Sequence, residues 1–404
     1  MLHFRYFFIL ISFNFLFSQN THIVDFSHFH KEAFVADLHC DAIGRYLKSE
    51  DLSKDLPTGH VDIPKLKKGG IDLQVFACFS PAPSNELEKW QSAKNVLRQI
   101  DAVYNLVDKN NQDLILITKP EQISELEENN KIGVLIGIEG GYAIENDLAL
   151  LRDFYLLGVR IMTLTHWTHT DWADASGDTI TRFGGLNPFG EQVVKEMNRL
   201  GMIIDISHVH DETFWDVINL SSKPIVASHS CCRALSKHHR NLTDDMLRAL
   251  AQNGGVVGIN FEPGYLKAEF WHEREKIKKE LTEKLGLPTR RDKQRKVDQK
   301  KLKKYRQELK RQTEKLLEKY QIDFKLVVDH IEHVIQVTGS FDNVGLGSDF
   351  DGISTTPLGV KNASYIPNIT KELIKRGYGK EEIRKILGLN FLRVFKKVSQ
   401  TEDN

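Results

Sequence analysis

Along the chain, short apolar runs recur, each stopping abruptly on polar residues and followed by a stretch of helical or irregular spacing. The first, Phe34-Val35-Ala36-Asp37-Leu38, ends in His39-Cys40-Asp41. The second, Ile71 to Phe79, ends at Ser80 and precedes a long helix predicted from about Asn85 to Val107. Gly133 to Ile138 ends in Glu139-Gly140-Gly141, and Val159 to Leu164 ends in Thr165-His166. The runs beginning at Met202 and Pro224 both stop on Ser-His, at His208 and His229. Gly255 to Ile259 ends in Asn260-Phe261, and Val344 to Gly347 ends in Ser348-Asp349-Phe350-Asp351-Gly352. Runs of this length bounded by polar residues predict buried strands. The amphipathic Asp211 to Leu220 supplies a helical crossover between two of them, which makes those strands parallel neighbours. Strand-like runs alternating with helical connections in this way predict an α/β fold, a (β/α)8 TIM barrel.

One segment breaks the rhythm. From about Leu266 to Lys319 the chain is dense in Lys, Arg, Glu and Gln, with leucines at helical spacing. Acids are interspersed with the bases, so a solvated helical hairpin inserted before the last strand (about 266–320) is expected rather than a basic binding arm. Pro367 to Phe395 reads as two or three closing helices. Asp329-His330-Ile331-Glu332-His333 lacks the spacing of a metalloprotease helix and is expected on a helix surface.

The ends of the chain modify this picture. Residues 1–18 carry an early positive charge and a nearly unbroken apolar run from Tyr6 to Phe17, the layout of a secretory signal peptide. Residues 19–404 are then expected to form one exported (periplasmic or secreted) domain. The apolar run is short for a stable transmembrane anchor, and the polar C-terminus has no tail of the kind a GPI signal requires. Lys+Arg and Asp+Glu are equal at 55 each, which removes the overall basic field that nucleic acid binding would call for. Cys40, Cys78, Cys231 and Cys232 have no Cys-x-x-Cys spacing and are expected to be free, small buried residues.

Barrel active sites gather where strands end, and here the ends carry His39, Asp41, Glu139, His208, His229 and Asp349. His39 and Asp41, at i and i+2 of an extended segment, point to one face and can reach one ion. Glu139 adds a carboxylate next to two glycines that allow close backbone approach. Together with His208 and His229 the set has more ligands than a single catalytic zinc takes, and it suits two metals sharing a bridging carboxylate. Asp349 lies outside that set and is a candidate proton shuttle. Asp351, beside Gly352, is expected to serve the turn. His238 and His239 lie in a loop at the same rim.

These residues, with Thr163-Leu-Thr-His166, Asp171-Trp-Ala-Asp174, Arg240-Asn241 and Gly388-Leu-Asn-Phe-Leu-Arg-Val394, give the chain from about Phe34 to Phe395 a resemblance to the membrane (renal-type) dipeptidases. The resemblance implies a barrel of the metal-dependent hydrolase type and a zinc-dependent dipeptidase holding two Zn2+ per subunit. It implies that His39 and Asp41 hold one zinc, His208 and His229 the other, and that Glu139 bridges them. It further implies that His166 steadies the oxyanion, that Arg240 and Tyr265 hold the free carboxylate of a dipeptide substrate, and that Asp349 is the acid/base attending attack by a metal-activated hydroxide. The family habit also suggests a homodimer. Cys40 stands where the family often has Asn, on the face opposite the ligands, and the insertion is longer than usual. Rival readings keep the binuclear site but open a β-lactam or an N-acyl amino acid, or make the barrel a catalytically dead binding protein.

Overall fold

The computed structural model describes residues 26–400 apart from 86, 87, 89, 179 and 289–297. The expected export segment lies outside the described residues. Nine parallel strands form one sheet: β1 (Ala36–Cys40), β2 (Leu73–Phe79), β3 (Leu114–Leu116), β4 (Ile132–Glu139), β5 (Val159–Thr163), β6 (Ile203–Asp205), β7 (Val226–Ser230), β8 (Val256–Ile259) and β9 (Val344–Leu346). Their order is β2-β1-β9-β8-β7-β6-β5-β4-β3, and β2 also pairs with β4 from Leu73↔Gly133 to Phe79↔Glu139. That pairing closes eight strands into a barrel surrounded by helices, the predicted (β/α)8 fold. β3 stands outside the closed ring and pairs only with the first part of β4, Leu114↔Ile132 to Leu116↔Val134. It is not among the predicted strands.

Alternation along the strands divides the core into two layers. Ala36, Leu38, Leu73, Val75, Leu135, Ile161, Ile203, Val226 and Val256 form one cluster, which the last helix, Asn390–Ser399, joins through Phe391, Val394, Phe395 and Val398. The larger cluster joins the other strand faces to the surrounding helices and includes Cys40, which supports its expected orientation away from the ligands. All four cysteines are buried and free. Between β6 and β7 the helix Asp211–Leu220 has the bounds the pattern predicts, because His210 accepts the Glu212 N–H and caps its first turn.

The charged segment forms two helices, Ala268–Leu285 and Gln299–Lys319, which share a small core of Phe270, Ile277, Leu281, Leu316, Leu317 and Ile322. The expectation for His330 is corrected. The helix Lys325–Thr338 buries Val327, Val328, His330, Ile331 and Val334 at helical spacing, so His330 faces inward. Its Nδ1 accepts the Cys232 N–H at 3.0 Å and its Nε2 lies 3.2 Å from the Leu266 carbonyl. Among the described residues no helix is long and apolar enough to cross a membrane.

Candidate metal centre

Parallel strands deliver their C-terminal residues to one rim, and four of those strands supply the predicted ligands. His39 comes from β1 and Asp41 from just beyond it, Glu139 ends β4, His208 follows β6, and His229 lies in β7. Around Glu139 Oε1 stand four imidazole nitrogens: Nε2 of His208 at 3.1 Å, of His229 at 3.5 Å, of His39 at 3.7 Å and of His166 at 3.7 Å. His39 Nε2 is also 3.5 Å from Asp41 Oδ2, and ligand atoms of His39, Asp41 and Asp349 lie within 4.8 Å of one another. The structure therefore brings the predicted ligand residues, with His166 and Asp349, into one buried cluster.

Local backbone conformation aims several of these side chains. His208 (φ 71°) and Asp349 (φ 58°) both occupy the left-handed region, which is costly for non-glycine residues by roughly 1–3 kcal/mol each and accumulates at functional sites. Gly352 leaves room for the site's carboxylates, since a Cβ there would meet Asp349 Oδ1 and Asp41 Oδ2 at 2.3 Å each. Asp351 has the turn role foreseen for it, accepting the His60 and Val61 N–H groups and pairing with Arg45.

The electrostatics favour a cation. Burial raises the Glu139 carboxyl to about 8 and that of Asp349 to about 7. Burial opposes charge on His39, yet Glu139, Asp41 and Asp349 outweigh it and carry the imidazole up to about 10. His208 and His229 are held well below their ordinary range, by burial first and then by neighbouring positive groups. The neutral imidazoles of His208 and His229, with His39 beside clustered carboxylates, are a mixed nitrogen and oxygen donor set of the kind that holds zinc or another first-row divalent ion. Their orphaned atoms fit that group: His39 Nε2 and His208 Nδ1 are buried without a hydrogen-bond partner, and His208 Nε2 faces His229 Nε2 at 3.0 Å.

Outer hydrogen bonds set the orientation of the ligands. Ser228 Oγ lies 2.7 Å from His229 Nδ1 and donates to Asp205 Oδ2 at 2.6 Å, which assigns the proton of His229 to Nδ1 and leaves Nε2 free to ligate. Asp205 also accepts the Ser207 and Ser228 N–H groups. Asp37 accepts from Ser348 and Gln74 beneath His39, and Asn260 donates to Asp349 Oδ2 at 3.0 Å. Asp37, Asp205 and Ser228 stand inside the conspicuous sequence motifs, but their part in holding ligands needs the folded contacts to be seen.

A cavity of about 500 Å³ opens onto this cluster and is lined by Asp41, Glu139, His166, His208, Tyr265 and Asp349 among others. Arg240 is not on that wall. Its guanidinium is buried 5.5 Å from the Tyr265 ring and donates to the His229 carbonyl at 3.2 Å. Trp271 and Arg274 from the inserted helix do line the cavity, which the pattern of that segment did not indicate.

Comparison with known proteins agrees with the barrel fold. The model of the membrane dipeptidase family, peptidase family M19, matches residues 24–404. The chain belongs to that family. It resembles the solved probable dipeptidase PvdM from Pseudomonas aeruginosa at 26% identity and TM-score 0.77, covering 93% of this chain and 98% of that one. Dipeptidase AC, a metallo peptidase of family M19, is 25% identical with TM-score 0.71 over 92% of this chain and 99% of the other. A metallo peptidase from Rhodobacter sphaeroides, solved with a phosphinate mimic of the dipeptide L-Ala-D-Ala, shares the fold at 24% identity and TM-score 0.71, over 91% and 99% of the two chains. As an M19 protein, this chain is a metal-dependent hydrolase of peptide bonds and a dipeptidase.

Proposed function

We propose that this M19 dipeptidase is a zinc enzyme with two ions per chain, His39 and Asp41 holding one, His208 and His229 the other, and Glu139 shared. The convergence of four imidazole Nε2 atoms on one Glu139 oxygen, beside the Asp41 and Asp349 carboxylates, is the observation that supports it. When bound, the zinc pair would polarise the scissile carbonyl and make water nucleophilic near neutral pH. A cavity of about 500 Å³ has room for a dipeptide.

His166, half-buried at the cavity wall, is placed to hydrogen-bond the carbonyl oxygen as negative charge develops on it. Asp349, oriented by Asn260 and raised by burial to about 7, takes the proton of the attacking water and returns it to the departing amine. Arg240 and Tyr265 hold the free carboxylate of the substrate, Tyr265 from the cavity wall and Arg240 as a buried positive charge beside it, which selects peptides by length. Residues 1–18 act as an export signal, to be checked by sequencing the N-terminus of the secreted protein.

Glu139→Gln is the direct test of the paired site. We expect it to lose bound metal, measured by elemental analysis, together with hydrolysis of simple dipeptides. Full activity in that variant would overturn the two-metal reading.

A further inference from the structure

The inserted helix Ala268–Leu285 places Trp271, Arg274 and Lys278 in the cavity wall, at the i, i+3, i+7 spacing of one helix face. Trp271 lies nearly parallel to Trp167, with ring centroids 6.3 Å apart and 19° between planes, and meets His238 edge-on at 4.6 Å. Arg274 is 5% exposed, and its Nη2 pairs with Glu262 at 2.6 Å. Its Nε is buried with no hydrogen-bond partner. Arg240 repeats this state near the same tyrosine. It is 3% exposed, its Nε is equally unpartnered, and no carboxylate pairs with it among the described residues.

Two buried guanidiniums thus stand around Tyr265 and Trp271 with unused donors, and Glu262 pairs with one of them. Farther out, the Lys278 amine sits 5.6 Å from the Trp271 ring, paired with the half-exposed Glu275 at 2.6 Å. The remaining cavity carboxylates are engaged: Asp41, Glu139 and Asp349 belong to the metal cluster, and Asp351 pairs with Arg45. A buried donor left unmade is costly, and a carboxylate meets a guanidinium better than any neutral group. A neutral dipeptide brings one carboxylate, whereas one ending in an acidic residue brings two.

We infer that the site selects dipeptides whose C-terminal residue has an acidic side chain, with the α-carboxylate at Tyr265, backed by the buried Arg240 charge, and Arg274 on the cavity wall, supported by Lys278, taking the side-chain carboxylate. The inference rests on the dipeptidase reading above and makes the insertion a specificity element. The test compares isosteric pairs, Gly-Asp with Gly-Asn and Gly-Glu with Gly-Gln, in both configurations of the C-terminal residue, on the metal-loaded full chain. The acidic member of a pair is expected to have a kcat/KM about tenfold or more above its amide, expressed mainly in KM. That ratio is expected to fall towards one in Arg274→Gln and to drop severalfold in Lys278→Glu. The second variant guards the test, because Arg274→Gln also strips Glu262 of its partner and can disturb the fold.

Calorimetric binding of the same dipeptides separates the two ideas. If none is hydrolysed but Gly-Asp or Gly-Glu binds more tightly than its amide, the subsite stands and the reaction assigned to it fails. Equal kcat/KM and equal binding within both pairs would overturn the inference.

Discussion

Ser228 shows what a single hydroxyl does at this centre. It accepts from His229 Nδ1, donates to Asp205 and so holds the imidazole with Nε2 turned to Glu139. Replacing it by Ala leaves the ring without that anchor while removing only one oxygen from a packed site. Ser228→Ala is expected to weaken metal binding about 10- to 100-fold, read by chelator competition, with little change in melting of the metal-free protein. Affinity equal to the parent's would remove Ser228 from the set of orienting groups. The ligand residues were legible because His, Asp and Glu at strand ends have no routine structural use. Ser228 and Asp205 were not, because a hydroxyl or a buried carboxylate acquires a partner only when two strands lie side by side.

At the scale of elements, the inserted hairpin has its own small core, formed by Phe270, Ile277, Leu281, Leu316, Leu317 and Ile322. Leucines at helical spacing within the charged run announced two helices, and the pairing follows from their apolar stripes. Leu281→Ala should cost about 2–5 kcal/mol of local stability. Hydrogen exchange is expected to quicken across 268–285 and 299–319 while the barrel strands keep their protection; uniform loss across the strands would show that hairpin and barrel unfold as one unit. Two elements escaped the pattern for different reasons. Leu114–Leu116 stands outside the closed ring and so falls outside the strand-and-crossover rhythm, and His330 on the helix Lys325–Thr338 reads as polar although its two ring nitrogens are both satisfied inside.

For the whole molecule, His330 ties stability to pH away from the metal centre. Burial lowers it to about 4, below the roughly 6.5 of the unfolded chain. The unfolded state therefore binds the proton first, so this contribution is complete above pH 6.5 and is lost as pH falls towards 4. The loss amounts to about 2 kcal/mol at pH 5. Urea midpoints of the metal-free protein should decline from pH 7 to pH 5, and less steeply in His330→Gln; parallel slopes in the two proteins would rule His330 out as the source. Hydrophobic periodicity by itself determined the barrel, since strand runs alternating with crossovers have few ways to bury both faces. The residue types at strand ends likewise determined that the rim would gather side chains able to ligate a metal. Only tertiary structure decided that Trp271 and Arg274, from a segment that reads as solvated surface, form a wall of the cavity, and that Arg240 lies buried beside Tyr265 rather than on that wall. The physical reason is that local pattern records which face of an element is buried, whereas a site's specificity depends on distances between elements remote in the chain.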